Sequence, residues 1–280
     1  MMKISIAVPS YNYAQYISAC LESIRNQDHI DFEVLIADGG SSDGSLEIIN
    51  KFCDEDSRFK LVSTSDKGQA DSIYKSFEHA NGDVLCFLNA DDCYLSNDSL
   101  SSVVKAFEVY QDISIVSFGG YYLNAEGHWL RPINYRYHPF DGFHLMAYRT
   151  AVLQPGTFWR RSVYEPTEWP SHFNFVFDVV FFYRAYQKYS WLELSKPIAG
   201  YRLHGGNKSM MVKSARINEL AMFEKLKFGD SSLRAFYLRV IAVIIKAFES
   251  WGSVGSKLSK ALYLTVNGLA YITCYRLPSI

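Results

Sequence analysis

Gly82-Asp83-Val84-Leu85-Cys86-Phe87-Leu88-Asn89-Ala90-Asp91-Asp92 climbs out of a polar turn, runs through five apolar residues and stops on two adjacent carboxylates. A short, continuous apolar run of this kind reads as a strand buried on both faces, which is the habit of parallel sheets. Two carboxylates side by side at the end of such a strand repel one another. The arrangement suits a site where a cation sits, and oxygen ligands favour Mg2+ or Mn2+, ions that also hold substrate phosphates.

Upstream, residues 3–8, 32–37 and 59–64 repeat the same short Ile/Val/Leu/Phe-rich run, each followed by polar or glycine-bearing residues. Between them, Tyr16, Cys20, Leu21 and Ile24, then Leu46, Ile49 and Phe52, then Ala70, Ile73, Tyr74 and Phe77 recur at helical spacing. The alternation predicts an α/β sandwich on a parallel sheet. Downstream, the pattern predicts a helix over 97–110, an apolar strand over 113–118 and a hairpin over 121–129 around Ala125-Glu126-Gly127. Aromatics then crowd through Tyr135, Tyr137, Phe140, Phe143 and Tyr148, and helical character returns near 177–189. Residues 213–275 read as helical, broken at Gly229-Asp230 and at 252–255.

The 280 residues are 49% hydrophobic and 20% charged, as in ordinary globular proteins. A net charge of −1 gives no basic footprint for nucleic acid. From Gly205 onward, however, eleven Lys and Arg stand against four Asp and Glu, so the tail is basic and the remainder acidic. Five scattered cysteines without a C-x-x-C pair predict reduced thiols. The first apolar run is closed by Pro9 and is too short for a signal-peptide core, which predicts a cytoplasmic protein.

In open parallel sheets ligands bind beyond the carboxyl ends of the strands, and here all four ends carry polar residues. The first ends in Val8-Pro9-Ser10-Tyr11-Asn12, where Tyr11 is placed to lie beside a base. The second ends in Ala37-Asp38-Gly39-Gly40-Ser41-Ser42-Asp43-Gly44, with Asp38 a candidate acceptor for the imide hydrogen of uracil or thymine. Equally, Asp38 is a common turn residue and Asp43 a common helix N-cap. The third leads into Ser65-Asp66-Lys67-Gly68-Gln69-Ala70-Asp71.

Taken in order, Val8–Asn12, 38–43, 66–71 and 82–92 resemble the successive motifs of the family 2 glycosyltransferases, which have the GT-A fold. Further on, Leu153-Gln154-Pro155-Gly156-Thr157-Phe158-Trp159-Arg160-Arg161 is similar to the family segment preceding the acceptor site. Phe177-Asp178-Val179-Val180-Phe181-Phe182-Tyr183-Arg184 looks like the helix that opens on the family's general base. Tyr201-Arg202-Leu203-His204-Gly205-Gly206-Asn207 resembles the strand and loop that close over the diphosphate. The likeness covers about residues 3–210.

The resemblance implies a Rossmann-like nucleotide-binding sandwich with a mixed central sheet. It divides the chain into a domain over 1–212, with a nucleotide-sugar half at 1–110 and an acceptor half at 111–212, and a helical appendage over 213–280. It implies an inverting, metal-dependent transfer of sugar from a nucleotide diphosphate donor, UDP- or dTDP-sugar favoured, to a glycan or lipid-linked saccharide. Asn89 stands where the family's Asp-x-Asp motif begins with Asp. The resemblance then assigns the Mn2+ or Mg2+ contact to Asp91 and Asp92 without choosing between them, with His204 beside the metal or the diphosphate. Pro9, Tyr11, Asn12, Asp38, Asp66, Asp71, Asn89, Asp91 and Arg202 are expected around the donor, and Asp178 is expected to take the acceptor proton. Trp159 and Trp169 are candidate sugar-stacking rings, and Arg160 and Arg161 candidate phosphate forks.

Two alternatives are a sugar nucleotidyltransferase, which resembles a glycine-rich loop with Arg and Lys where this chain has Pro9-Ser10-Tyr11-Asn12, and a silent scaffold, for which four strand-end carboxylates have no use. A dinucleotide oxidoreductase lacks its G-x-G-x-x-G. Residues 233–248, apolar with Arg234, Arg239 and Lys246 interspersed, are too short and charged to span a bilayer. They suit a helix lying on the inner face of the cell membrane or packing on the domain or in a homodimer.

Overall fold

A computed structural model of the chain describes residues 2–133, 152–165, 167–208 and 214–249, with 251, 255, 257–259, 261 and 262. The four apolar runs pair as parallel strands: β1 (Ile4–Ser10), β2 (Phe32–Asp38), β3 (Phe59–Ser63) and β4 (Val84–Phe87). Every residue of β1 and β2 is buried, because helices cover both faces of the sheet. Those crossovers are α1 (Ile17–Arg25), α2 (Ser45–Glu55) and α3 (Gln69–Glu78), where the helical spacing placed them. Ile4, Ile6 and Val8 of β1 join Ile17, Cys20, Leu21 and Ile24 of α1 in one core, since alternate strand residues share a face.

Past the short β5 (Cys93–Tyr94) and helix α4 (Ser99–Val109), the chain adds β6 (Ile115–Leu123), and β7 (Trp129–Ile133) folds back on it as the predicted hairpin. Strand β8 (Thr157–Arg160) is antiparallel to both β4 and β6, and β9 (Trp191–Arg202) is parallel to β6. The two reversals cancel, so β9 points the same way as β1 to β4 and its end reaches the same edge. The sheet order is β3-β2-β1-β4-β8-β6-β9-β5, with β7 beside β6. This is the mixed sheet of the resemblance rather than the all-parallel one that strand composition suggests. Close β6–β9 packing depends on Gly120, where a Cβ would collide with the Ala199 carbonyl oxygen.

By packing, the chain forms two compact units: Met1–Tyr135 with Val152–His172 and Phe181–His204, and Arg136–Ala151 with Phe173–Val180 and Gly205–Ile280. In the first, a helical turn α5 (Arg161–Tyr164) follows β8. Helix α6 (Phe177–Tyr186) starts on residues of the second. There, α7 (Ser214–Phe228) and α8 (Leu233–Glu249) pack on one another across the predicted break, where Gly229 adopts φ +81°. Among the described residues no helix is long and apolar enough to cross a membrane. Cys20, Cys53, Cys86 and Cys93 are free thiols. The aromatic stretch from Tyr135 to Tyr148 and the tail beyond 262 lie outside the described residues.

Candidate active site

Five strand ends build the site, and side chains stitch each to its neighbour. After β1, Asn12 takes φ +56°, a left-handed conformation that Asn tolerates better than most residues. Its N–H donates to Ser41 Oγ at 2.7 Å, and its Oδ1 accepts the Ser42 N–H at 2.9 Å. Asp43 accepts the Ala14 N–H at 2.9 Å, and the Ser45 N–H and hydroxyl hold its other oxygen, so these bonds keep its carboxyl below the usual range against its desolvation. Pro9 lies within β1, paired with Ala37.

Asp38 is wholly buried, and its carboxylate accepts from Gly40 N at 3.0 Å, Ser41 N at 2.7 Å and Ser41 Oγ at 2.7 Å. These bonds fix the shape of the turn that follows β2. Gly39 is where three ends converge: a Cβ there would lie 3.0 Å from Asp66 Oδ2 and 3.2 Å from Tyr11 Cδ2. Asp66 ties its loop to the start of α3, accepting from Gly68 N at 2.7 Å and from the Ser72 hydroxyl. Asp71 accepts from Lys67 N at 2.9 Å and pairs with Lys75 at 3.0 Å. Tyr11 stays 59% exposed, an open aromatic face beside these ends.

At the end of β4 a chain of three amides runs in one direction. Gln69 Nε2 donates to Asn89 Oδ1 at 2.7 Å, Asn89 Nδ2 donates to Gln154 Oε1 at 3.2 Å, and Gln154 Nε2 donates to the Phe87 carbonyl. Asn89 Nδ2 also reaches Asp92 Oδ2 at 3.3 Å. The amide at position 89 is thus matched to its partners, where a carboxylate would meet the Gln154 oxygen as acceptor against acceptor.

The antiparallel pairing of β5 with β9 brings Arg202 alongside the two carboxylates. Arg202 N donates to Asp92 Oδ1 at 3.0 Å, its Nε to the Asp91 carbonyl at 2.8 Å, and its Nη1 to the Ala125 carbonyl at 3.1 Å. Burial, then the neighbouring Asp91 charge, pushes the Asp92 carboxyl well above the usual carboxylate range. Two residues past β9, His204 Nε2 lies 2.9 Å from Asp91 Oδ2, each side chain 8% exposed. The His204 ring lies against Tyr16 with centroids 4.5 Å apart and meets Tyr13 edge-on at 6.3 Å. Burial, followed by the Asp91 and Asp92 charges, pushes the Tyr13 hydroxyl up.

Asp91 offers a carboxylate, the ligand type of a hard divalent cation, with the His204 imidazole beside it. Among the described residues no three His, Cys, Asp or Glu side chains cluster to hold a metal alone. Mg2+-type ions, however, are commonly bound by one or two carboxylates, with substrate phosphates and water completing the shell. Asp92 instead turns both oxygens to Arg202 N and Asn89.

In the second unit, Asp178 sits in the first turn of α6, and its Oδ1 accepts the Val179 N–H at 2.9 Å. Burial pushes its carboxyl up to about 6, opposed by that N–H and by Arg216 and Lys208. Glu219 on α7 accepts the N–H groups of Asn174, Phe175 and Val176 at 2.8, 2.7 and 3.2 Å, which fixes the segment leading into Asp178. Lys208 adds a bond to the Asn174 carbonyl at 2.6 Å. In the first unit, Arg184 pairs with Glu168 at 3.2 Å.

Tyr13, Tyr16, Gln69 and Glu219 are site residues that sequence reasoning missed. Gln69 lies within the 66–71 motif but its amide carries no charge to single it out, Tyr13 and Tyr16 lie outside the quoted motifs, and the Glu219 contact spans more than forty residues. The tryptophans are not sugar platforms: Trp159 is fully buried and Trp169 nearly so, and both pack against Phe77, Phe87 and Phe181. Arg160 and Arg161 are turned to backbone carbonyls, of Ile113, Phe107 and Gln111 and of Gly82 respectively.

Residues 5–168 match the model of glycosyl transferase family 2. An uncharacterised glycosyltransferase of Nostoc sp. is 26% identical over 262 residues, 85% of this chain and 77% of that protein. Other relatives are matched over shorter shares of their own length, such as 13% for one and 60% for another. The mannosyltransferase PcManGT of Pyrobaculum calidifontis, solved with GDP-Man and Mn2+, superposes with a TM-score of 0.61 at 18% identity, over 100% of this chain and 76% of that one. Residues 1–349 of S. aureus TarS, solved with UDP-GlcNAc, superpose with a TM-score of 0.59 at 16% identity, over 89% of this chain and 81% of that one. At such identities these structures speak to the fold. The strand-end motifs, the GT-A architecture and the family match together make this chain a glycosyltransferase of family 2.

Proposed function

We propose that the chain transfers a sugar from a nucleoside diphosphate donor, UDP- or dTDP-linked, to a hydroxyl of a glycan or lipid-linked saccharide, with inversion and with Mn2+ or Mg2+ bound. The observation that carries this reading is the pairing of Asp91 with His204 at the strand-end edge, two ligand types suited to such an ion. In this reading Asp91 and His204 hold the cation, and Asp92 and Arg202 fix the Asp91 loop from behind. The base side is formed by Tyr11, Asn12 and Asp66, on a turn whose shape Asp38 sets, with Pro9 and Asp71 supporting its two flanks. Asn89 acts through its amide chain, which fixes the end of β4.

When bound, the cation supplies Lewis-acid stabilisation of the charge that develops on the diphosphate. Asp178 takes the proton from the acceptor hydroxyl as its oxygen bonds to the anomeric carbon. The bond from that carbon to the diphosphate oxygen breaks, and the nucleoside diphosphate leaves with its electron pair. Attack opposite the leaving group inverts the centre. UDP-GlcNAc in one structural neighbour, and GDP-Man with Mn2+ in another, support a nucleotide-sugar donor here.

A thermal-shift panel of UDP-, dTDP- and GDP-sugars with and without Mn2+ tests the reading, because a ligand bound only by the fold raises its melting temperature. A metal-dependent shift with one donor is the expected result. No shift across the panel contradicts it.

A further inference from the structure

Helix α8 has two apolar sides. Ala235, Leu238, Ile241, Ala242 and Ile245 are buried, as the inner face of a packed helix should be. Leu233, Phe236, Tyr237, Val240, Val243 and Ile244 face outward and are between 38% and 74% exposed. Their spacing of three and four residues lines them up as one stripe along the helix. Isolated exposed apolar residues are ordinary, but a contiguous stripe rimmed by polar groups marks an interaction surface.

The charges beside the stripe narrow what covers it. Arg239 and Lys246 are exposed and, seven residues apart, fall along a single edge of it about two helical turns from one another. The helix carries one acidic residue, Glu249, whose carboxylate accepts the Ser214 N–H and hydroxyl at 2.8 and 2.9 Å. Asp230, in the turn before the helix, pairs with Lys225. A two-fold copy of this face meeting itself would present like charges along a shared edge and offer them no acid. An anionic lipid surface takes both features at once, burying the stripe among headgroups and acyl chains and pairing the cations with phosphate.

We infer that the outer face of α8 binds in the plane of an anionic bilayer surface. The inference does not rest on the transferase reading, because vesicle binding is measured without donor, metal or turnover. It specifies a helix lying on the bilayer, consistent with the lack of a spanning helix among the described residues.

Flotation of the full chain with phosphatidylcholine vesicles, with and without 30 mol% phosphatidylglycerol, tests it (roughly a composition that gives an anionic surface potential). The protein is expected to float with the anionic vesicles and to remain largely free of the neutral ones. Phe236→Ser with Val243→Glu, at two exposed positions, is expected to abolish flotation while leaving the melting curve unchanged. Arg239→Ala with Lys246→Ala is expected to weaken anionic binding on the order of thirtyfold, at about tenfold per 1.4 kcal/mol and ~1 kcal/mol per cation. The inference is overturned if the unmodified chain stays free of anionic vesicles, or if the stripe variant floats as well as the unmodified chain. It is also overturned if the chain sediments as a dimer that Val243→Glu dissociates without any vesicle binding.

Discussion

His204 Nε2 lies 2.9 Å from Asp91 Oδ2, a contact between residues 113 positions apart that joins the end of β9 to the loop after β4. Because β6 and β9 regain the direction of β4 through antiparallel β8, the imidazole and the carboxylate meet on one edge. His204→Ala is expected to raise the Mn2+ concentration needed for half-maximal donor turnover by about tenfold or more, with kcat partly recovered at saturating metal. A metal titration that superposes on that of the unmodified chain would remove His204 from the ligand set.

Asp178 is predicted to set the pH dependence. Its carboxyl is raised by burial from 3.8 to about 6, so a general-base rate should climb through one ionisation near pH 6. For stability the sign is opposite. The folded chain holds this proton more tightly than the unfolded one, so stability is lost as pH rises from about 4 to about 6. Asp178→Asn should cut kcat by ~10² to 10⁴ and raise stability at pH 8 by up to ~3 kcal/mol, with no gain at pH 4. Melting curves at both pH values and a pH–rate profile check this.

Glu219 is predicted to act on kcat at a distance. Glu219→Ala leaves three backbone N–H groups without their acceptor and frees the segment before Asp178, at about 1–3 kcal/mol. The expected result is a kcat about tenfold lower, a displaced pH–rate midpoint and an unchanged donor KM. Glu219→Gln should fall between the two. Steady-state kinetics with kcat and midpoint unchanged would count against a positioning role.

The amide chain predicts an unusual equivalence. Gln154→Leu removes one of the two acceptors of Asn89 Nδ2 and the donor to the Phe87 carbonyl, at about 1–3 kcal/mol. Gln154→Glu keeps the acceptor but loses the donor to that carbonyl, so it should destabilise as much despite its near-identical shape. Urea denaturation of both variants decides the point, and a harmless Gln154→Glu would show that the chain is not directional.

The fold was legible wherever burial imposes its own pattern. The strands over 4–10, 32–38, 59–63 and 84–87, the helices between them and the break at Gly229 all follow from apolar periodicity and glycine. The antiparallel insertion of β8 was not legible from composition, because Thr157–Arg160 reads the same in either direction and its neighbours come from distant chain. Within the site, the strand-end carboxylates were visible as residues, but their division of labour was not. Only the pairing of β5 with β9 shows Asp92 turned to the Arg202 N–H while Asp91 meets His204. Trp159 and Trp169 looked like sugar platforms because of their place in the chain, and the aromatic core around Phe181 claimed both.

Calorimetric titration of the donor nucleotide into the unmodified chain and into Asp91→Asn, each with Mn2+ and with EDTA, tests the central claim most directly. The account predicts binding by the unmodified chain with Mn2+, and a loss of at least about tenfold on adding EDTA or on replacing Asp91. Equal affinity in all four titrations would contradict it.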